Sequence, residues 1–324
     1  MKEKVALIKG NSRYENILKA LKYIEKEIKK KLRKEKVIIK PNCVSDSVQL
    51  ASTHVDAIRA VLDFLNSIKV KKVTIAEGSA YNTKKAFHNF NYFSLKNKYD
   101  VEFFNLNNDD FEEIEIYSRN GRKLKVGISK TILQASKKNS LISLALLKTH
   151  DSAIATFSIK NVAVGSLIKK TFLKYRIPIP FIRRIANRIL TIRNDKAKVH
   201  QGPKAINKNI FEIYKHVKPT LSIIDGFVAM EGNGPIDGEP VKMNLALAGT
   251  NALATDIVAS NLIGLSPEKI GYIYYAMKHE KLEQGDIKIV GNTTIKKEKR
   301  KFKLHRNYKQ QLLWKYWTYY SAKI

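Results

Sequence analysis

Four apolar segments of this sequence each end in polar residues of types that bind or transform ligands. The segments run into Lys40-Pro-Asn42, Glu77-Gly-Ser79, Lys148-Thr-His150 and Asp225-Gly226. If these segments are parallel strands of one sheet, their carboxyl ends meet at a crevice of the kind where open sheets bind ligands. The sequence therefore predicts one site at the four segment ends.

Lysine and histidine are the candidate catalytic residues. Lys40 and Lys148 could neutralise an anion or act as bases, although a solvated lysine is also common at the end of a strand. His150 lies two residues after Lys148, so both side chains point to the same face of a strand. His150 or His200 would be the acid/base group, because imidazole titrates near neutral pH. A hydrogen-bonded structural role is the alternative for either histidine.

Asn42, Glu77 and Gly78 are candidate ligand-binding residues. Asn42 could orient a ligand, or it could simply form the turn after Pro41. The Glu77-Gly78 pair could likewise belong to the site or to an ordinary turn from strand to loop.

The segment Glu231-Gly-Asn-Gly-Pro-Ile-Asp-Gly238 is rich in turn residues. Three glycines and a proline in so short a segment require a specific backbone path. We expect Gly232, Asn233 and Gly234 to bind a ligand there. The alternative is a glycine turn with solvated acids.

Three carboxylates are candidate metal ligands. Asp225, Glu231 and Asp256 supply the oxygens that hard cations such as Mg²⁺ prefer, although their spacing is not diagnostic. Asp256 lies in an otherwise apolar helix, where an unpaired buried charge would be costly. The cofactor is otherwise undetermined, and a divalent metal is one candidate.

The elements that would position these residues alternate between strand and helix patterns. Short apolar runs at 5–9, 37–40, 72–76, 101–105, 141–147 and 221–224 are separated by helical patterns such as 14–34, 53–68 and 83–97. This order predicts an α/β fold with a mostly parallel, Rossmann-like sheet in three layers. Asn120-Gly121 marks a β-hairpin inserted into it. We expect residues 1–291 to form one domain.

The positive charge is concentrated outside the segments that carry the predicted site. The chain has 324 residues with 60 Lys+Arg against 29 Asp+Glu, a net charge of +31. Residues 1–40, 160–218 and 292–324 carry this excess, whereas 41–159 and 219–291 together are neutral. We expect basic helical appendages: an amphipathic insertion at about 166–200, with a helix from Phe181, and a basic aromatic tail at 292–324.

Such basic, apolar segments are typical of proteins that contact anionic partners. Membrane-surface attachment fits the mixture of Arg/Lys with Ile, Phe, Trp and Tyr. Nucleic-acid binding, with Trp314, Tyr316 and Trp317 stacking on bases, is a less favoured alternative because no recognition motif supports it. A Lys-rich composition that reflects genome or habitat is a third explanation. The first segment reads as a strand rather than a signal peptide, so we expect a cytoplasmic protein, with peripheral attachment at the inner membrane face as the further option.

Cysteine content and absent motifs exclude several classes. Cys43 is the single cysteine, so this chain cannot by itself hold an iron–sulfur cluster or form a disulfide framework. No P-loop, dinucleotide-binding glycine motif, nucleophile elbow or zincin motif is present. An enzyme acting on a small anionic substrate and a ligand-binding protein both remain open.

The ordered motifs resemble the domain-of-unknown-function family numbered 362. They include Lys40-Pro-Asn42, Lys148-Thr-His150, Ser158-Ile-Lys-Asn161 followed by Gly165, and Asp225-Gly…Glu231-Gly-Asn-Gly-Pro235. The resemblance adds Lys160 and Asn161 to the candidate ligand-binding residues, with Lys160 as a further cation for the anion. Many members carry a ferredoxin-like four-iron segment, which this chain lacks. The cluster segment of those members suggests redox chemistry in the family, so an accessory role in redox or cofactor metabolism is a further alternative for this chain.

Overall fold

The structure is a computed structural model that describes residues 2–170 and 193–317. Within these ranges the strands are β1 (Glu3–Lys9), β2 (Val37–Lys40), β3 (Val73–Glu77), β4 (Val101–Asn105), β5 (Phe111–Tyr117), β6 (Lys123–Ser129), β7 (Leu141–His150), β8 (Ile154–Thr156), β9 (Lys169–Lys170), β10 (Arg193–Asn194), β11 (Leu221–Asn233), β12 (Asp237–Gly249) and β13 (Ile287–Gly291). The helices are α1 (Arg13–Tyr23), α2 (Glu25–Lys31), α3 (Val55–Ser67), α4 (Thr83–Asn89), α5 (Lys130–Lys137), α6 (Ser158–Gly165), α7 (Asp195–Lys198), α8 (Gly202–Tyr214), α9 (Ala252–Leu262), α10 (Gly271–Glu280), α11 (Ile295–Glu298) and α12 (Tyr308–Gln311).

A mostly parallel sheet forms the centre of the molecule and confirms the α/β prediction. In the described residues its order is β13-β1-β12-β11-β7-β2-β3-β4, with β8 paired to the end of β7. β12 and β8 are antiparallel to their neighbours, and the other pairs in the sheet are parallel. The carboxyl ends of β7, β2 and β3 therefore lie side by side.

Helices cover both faces of the sheet and give three layers. Val5 and Leu7 of β1 pack into one apolar cluster, while Ala6 and Ile8 pack into the cluster on the other face. This alternation is the two-residue period of a strand. The first cluster lies under α6, α8, α9 and α10, and the second lies under α1 and α3.

Two predicted helices differ from the structure in length. The pattern at 14–34 forms two helices because the backbone leaves helical geometry at Ile24 (φ −120°, ψ 21°). The pattern at 83–97 gives α4 and then a 3₁₀ segment, Tyr92–Asn97, separated by Asn91 at φ 59°.

Besides the short β7–β8 pair, two hairpins accompany the parallel strands in the described residues. The predicted hairpin is β5–β6, where Gly121 takes the left-handed conformation at φ 81°. The second hairpin was not predicted. Its strands β11 and β12 each run for 13 residues, and their pairing extends from Ser222 opposite Gly249 to Asn233 opposite Asp237. The glycine-rich segment is thus mostly extended strand, and its turn is confined to Gly234–Ile236.

The C-terminal segment packs on the body of the protein. Phe302 and Trp314 are buried, and the Trp314 indole N–H donates to the carbonyl of Lys269 at 3.1 Å. The expectation that Trp314 stacks on nucleic-acid bases is therefore wrong, because burial removes its ring from solvent. Tyr316 is exposed. The predicted amphipathic helix from Phe181 lies outside the described residues.

Among the described helices, none combines the length and apolar character needed to cross a bilayer.

Candidate functional site

A cleft of about 220 Å³ opens at the carboxyl ends of β2, β3 and β7. Eight residues that the sequence singled out line it: Lys40, Asn42, Glu77, Gly78, His150, Lys160, Asn161 and His200. Pocket walls that the sequence did not identify include Thr156, Lys196 and Pro235. The structure thus brings together most of the predicted catalytic and ligand-binding residues.

Lys40 and Glu77 form a buried ion pair on the floor of the cleft. The Lys40 Nζ lies 2.9 Å from Glu77 Oε1 and 3.0 Å from Oε2, and both side chains are almost fully buried. Glu77 also accepts hydrogen bonds from the backbone N–H groups of Cys43 and Gly78. These contacts satisfy both charges, as a buried pair requires.

Asn161 and Asn42 connect this ion pair to a second buried lysine. Asn161 Oδ1 accepts from Lys40 Nζ at 3.2 Å and from Asn42 Nδ2 at 3.0 Å. Asn42 Oδ1 in turn accepts from Lys148 Nζ at 2.7 Å. Lys148 donates also to the carbonyl of Ala51 and lies behind Asn42, outside the lining of the cleft. Its contacts make Lys148 a group that positions Asn42.

Lys160 and His150 contact each other in the wall of the cleft. The Lys160 Nζ lies 2.8 Å from His150 Nε2, and both side chains are buried. Burial lowers the pKa of Lys160 to about 8. Burial and the charge of Lys160 lower the pKa of His150 to about 3, so the imidazole is neutral at physiological pH. The Nε2 atom of the ring faces the Lys160 Nζ, while Nδ1 lies 2.9 Å from Asp151 Oδ1 and accepts from the backbone N–H of Ser152 at 3.0 Å.

His200 stacks on His150 at the exposed rim of the cleft. The ring centroids are 6.4 Å apart, with 21° between the ring planes. His200 Nδ1 donates to the carbonyl of Lys196 at 2.7 Å, so the other ring nitrogen, Nε2, takes no part in this hydrogen bond. Burial of the ring and the charge of Lys160 lower its pKa.

Lys196 is a cleft residue that the sequence did not reveal. Its Nζ contacts the carbonyls of Val164 and Gly165 at 3.3 and 3.1 Å. Burial lowers its pKa to about 7. Lys196 lies in the four-residue helix α7, and so short an element has no periodic pattern that a sequence could show.

Asp256 holds the helix that carries Lys160 and Asn161. Its two carboxylate oxygens accept from the backbone N–H groups of Ser158 (2.9 Å) and Ile159 (3.0 Å), the first turn of α6. A carboxylate is favourable there because the helix dipole places positive charge at this end. Burial raises the pKa of Asp256 to about 8, against the effect of these two bonds.

The three candidate metal ligands do not come together. Asp225 pairs with Arg13 at 2.8 Å, Glu231 accepts from the backbone N–H of Lys303, and Asp256 caps α6. Asp225 and Glu231 are six residues apart on β11, whose register with its neighbours shifts between them, and each has a different partner. No group of three or more potential ligands is found in the described residues. The structure therefore does not bring the three predicted metal ligands together.

The glycine-rich segment contacts the C-terminal segment. The Gly232 N–H donates to the carbonyl of Lys303, and Asn233 Oδ1 accepts from the backbone N–H of Arg306. Gly234 packs so tightly on β7 that an added Cβ would lie 2.3 Å from the carbonyl oxygen of Thr149. The prediction that Gly232, Asn233 and Gly234 bind the ligand is thus not supported by their contacts. Pro235 is the part of the turn that reaches the cleft.

Positive charge predominates in the cleft. Lys40, Lys160 and Lys196 line it, and Lys148 lies directly behind it. The carboxylates in its lining are Glu77, which is paired with Lys40, and Asp151 at the rim. The hydroxyl of Thr156 is buried and has no hydrogen-bond partner among the described residues. The cleft can therefore offer cations and a free hydroxyl to an anionic ligand.

Cys43 also lies against the cleft. Burial raises the pKa of its thiol to about 12, and its Sγ lies 3.3 Å from the Tyr92 hydroxyl. A thiol with so high a pKa is protonated near neutral pH and is a weak nucleophile.

The fold and the cleft define a Rossmann-like α/β protein whose polar site lies at the ends of parallel strands. Residues 37–261 match the family described as domain of unknown function DUF362, and the chain belongs to this family. A thylakoid-associated protein of Synechocystis is 39% identical over 61 residues, a segment that covers 19% of each chain. The family match includes β2, β3, β7, α6 and α7, and therefore every lysine of the cleft.

Proposed function

We propose that the cleft binds a small anionic substrate, such as a carboxylate or phosphate compound, and exchanges a proton with it. The observation that carries this proposal is the pair Lys160 and Lys196. Both are buried at the cleft, and in the described part of the chain neither ammonium lies within 4.0 Å of a carboxylate. A buried cation without a counter-charge is costly, and a bound anion would supply that charge.

The lowered lysine pKa values suit proton exchange. Lys160 at about 8 and Lys196 at about 7 have pKa values near physiological pH, so a modest change in environment protonates or deprotonates them. Neutral His150 contacts Lys160 through Nε2 and keeps the Lys160 Nζ facing the cleft. An arriving anion would favour the ammonium form of Lys160, which could then donate a proton to the substrate.

The volume of the cleft limits the substrate class. About 220 Å³ is smaller than the usual pocket for a drug-sized ligand, which is roughly 300–1,000 Å³. The free hydroxyl of Thr156 offers a hydrogen bond to an anion that the lysines hold. A compact metabolite with one or two anionic groups fits these dimensions.

Isothermal titration calorimetry with inorganic phosphate, acetate and malonate tests this proposal. We expect saturable binding of at least one anion, with affinity reduced at least tenfold in Lys160→Met and Lys196→Met. The matched control is Lys22→Met, which changes an exposed lysine of α1. Equal weakening in all three variants, or no binding to the unmodified protein at millimolar anion, would contradict the proposal.

We also propose that the protein attaches to an anionic membrane surface. Two observations support attachment: the net charge of +31, and the similarity over 61 residues to a protein described as thylakoid-associated.

Co-sedimentation with vesicles tests attachment. We expect binding to phosphatidylglycerol-containing vesicles at moderate salt, and none to pure phosphatidylcholine. Arg183→Glu/Arg184→Glu tests the basic insertion, and Lys84→Glu/Lys85→Glu on α4 is a control with the same change in charge. Absence of binding at 0.1 M salt would reject attachment.

A further inference from the structure

A second strongly charged region lies at the opposite end of the sheet from the cleft. Three loops lead into adjacent strands there: 32–36 before β2, 68–72 before β3, and 137–139 before β7. Because these three strands are parallel, their starting ends share one edge, and the cleft lies at the other. We call the surface of these three loops the basic face.

The basic face has an excess of unpaired positive charge. Its loops contain one carboxylate, Glu35, and eight basic residues: Arg33, Lys34, Lys36, Lys69, Lys71, Lys72, Lys137 and Lys138. Seven of the eight are exposed, and Lys34 is partly exposed. Within the described residues the ion pair found for this set is Lys36 with Glu102, at the long distance of 4.0 Å.

Backbone hydrogen bonds hold the three loops together. The N–H of Lys71 donates to the carbonyl of Lys34 at 2.8 Å, and the N–H of Arg33 donates to the carbonyl of Asn139 at 3.0 Å. The backbones that carry the charges are therefore fixed relative to one another and to the sheet. Between the first and third loops lies a groove of about 570 Å³, whose lining includes Arg33, Lys36, Lys137 and Lys138 together with Glu35, neutral polar residues and two apolar residues.

We propose that the basic face is the surface by which the protein rests on an anionic bilayer, an inference that depends on the membrane attachment proposed above. Each basic residue near such a surface strengthens binding about fivefold. The loops contain no aromatic residue, so they lack the stacking platform of proteins that bind single-stranded nucleic acid. They also present no helix for the major groove of a duplex.

The orientation has a consequence for the cleft. A molecule that rests on its strand-start edge directs the strand ends, and with them Lys160 and His150, away from the bilayer. The substrate then enters from the aqueous phase, which agrees with a polar cleft that has a net positive lining.

Vesicle binding by variants of equal net charge tests this inference. The test variant is Arg33→Gln/Lys36→Gln/Lys137→Gln/Lys138→Gln. The matched control is Lys84→Gln/Lys85→Gln/Lys242→Gln/Lys288→Gln, four exposed lysines that lie outside the three loops and outside the basic tail. We expect the test variant to lose at least a hundredfold in affinity for vesicles with 30% phosphatidylglycerol, and the control to lose less than tenfold.

The possible outcomes separate the two proposals. If the unmodified protein does not bind the vesicles, membrane attachment itself fails. If it binds and both variants weaken equally, or the test variant is unchanged, attachment stands and the basic face is not the contact surface. Tighter binding to duplex or single-stranded RNA that the test variant abolishes would overturn the choice of a bilayer as the partner.

Discussion

Removal of the Lys40 ammonium would test how strongly the floor of the cleft depends on the buried ion pair. In Lys40→Met the Glu77 carboxylate loses a partner at 2.9 and 3.0 Å while it stays buried. Loss of one member of a buried pair costs about 3–5 kcal/mol of unfolding free energy, because the other charge is left uncompensated. Glu77 keeps two backbone N–H donors, so we expect a loss of about 3 kcal/mol, near the lower limit.

The double variant Lys40→Met/Glu77→Gln separates charge from packing. If the uncompensated carboxylate causes the loss, the neutral Gln restores about 2 kcal/mol relative to Lys40→Met alone. Urea unfolding followed by circular dichroism gives these free energies, and Lys22→Met should stay within about 0.5 kcal/mol of the unmodified protein. A loss below about 1 kcal/mol in Lys40→Met, or simple addition of the two single effects in the double variant, would refute the reasoning.

Three further predictions concern the groups around this pair. Gly165→Ala places a Cβ 2.0 Å from Lys40 Cε, so we expect it to displace the buried ammonium and to lower the free energy of unfolding in urea by about 2–3 kcal/mol. The control Gly285→Ala should be nearly neutral, because the space around that Cα is open. Asp256→Asn leaves one of the two capped N–H groups of α6 without its acceptor, and should cost about 1–2 kcal/mol in the same assay. The pKa of Lys160 in the free protein is about 8 and a bound anion raises it, so anion binding at pH 8–9 should take up protons and should weaken as pH rises further. Calorimetry in buffers of different ionisation enthalpy measures this proton uptake, and uptake that persists in Lys160→Met would contradict the assignment.

The alternation of apolar runs with helical patterns was enough to predict the sheet and its crevice. A buried parallel strand must be continuously apolar, so the residues at which each run stops, such as Lys40, Glu77 and His150, are recognisable in the sequence. The parallel arrangement then requires that these ends meet. The same argument failed for β11, whose strand continues eight residues past Asp225 because the hairpin with β12 pairs its polar part.

The predicted metal site grouped residues that are close in sequence but lie apart on an extended strand. Asp225 and Glu231 are close in sequence, but a strand rises by about 3.3 Å per residue and carries them to different partners. Asp256 illustrates the opposite case. Its burial in an apolar helix indicated a need for a partner, but the partner is the first turn of α6, almost a hundred residues earlier in the chain.

The sequence by itself determined the fold class, the strand ends at which polar residues collect, and the separation of basic segments from a neutral centre. Those properties depend on local hydrophobicity and on charge, which are carried by each residue type. Only the tertiary structure decided that Lys196 joins the cleft, that Lys148 supports Asn42 from behind, and that three separate loops form one basic face. The physical reason is that burial and proximity arise from the packing of segments distant in sequence, and the pKa of each lysine follows from that packing.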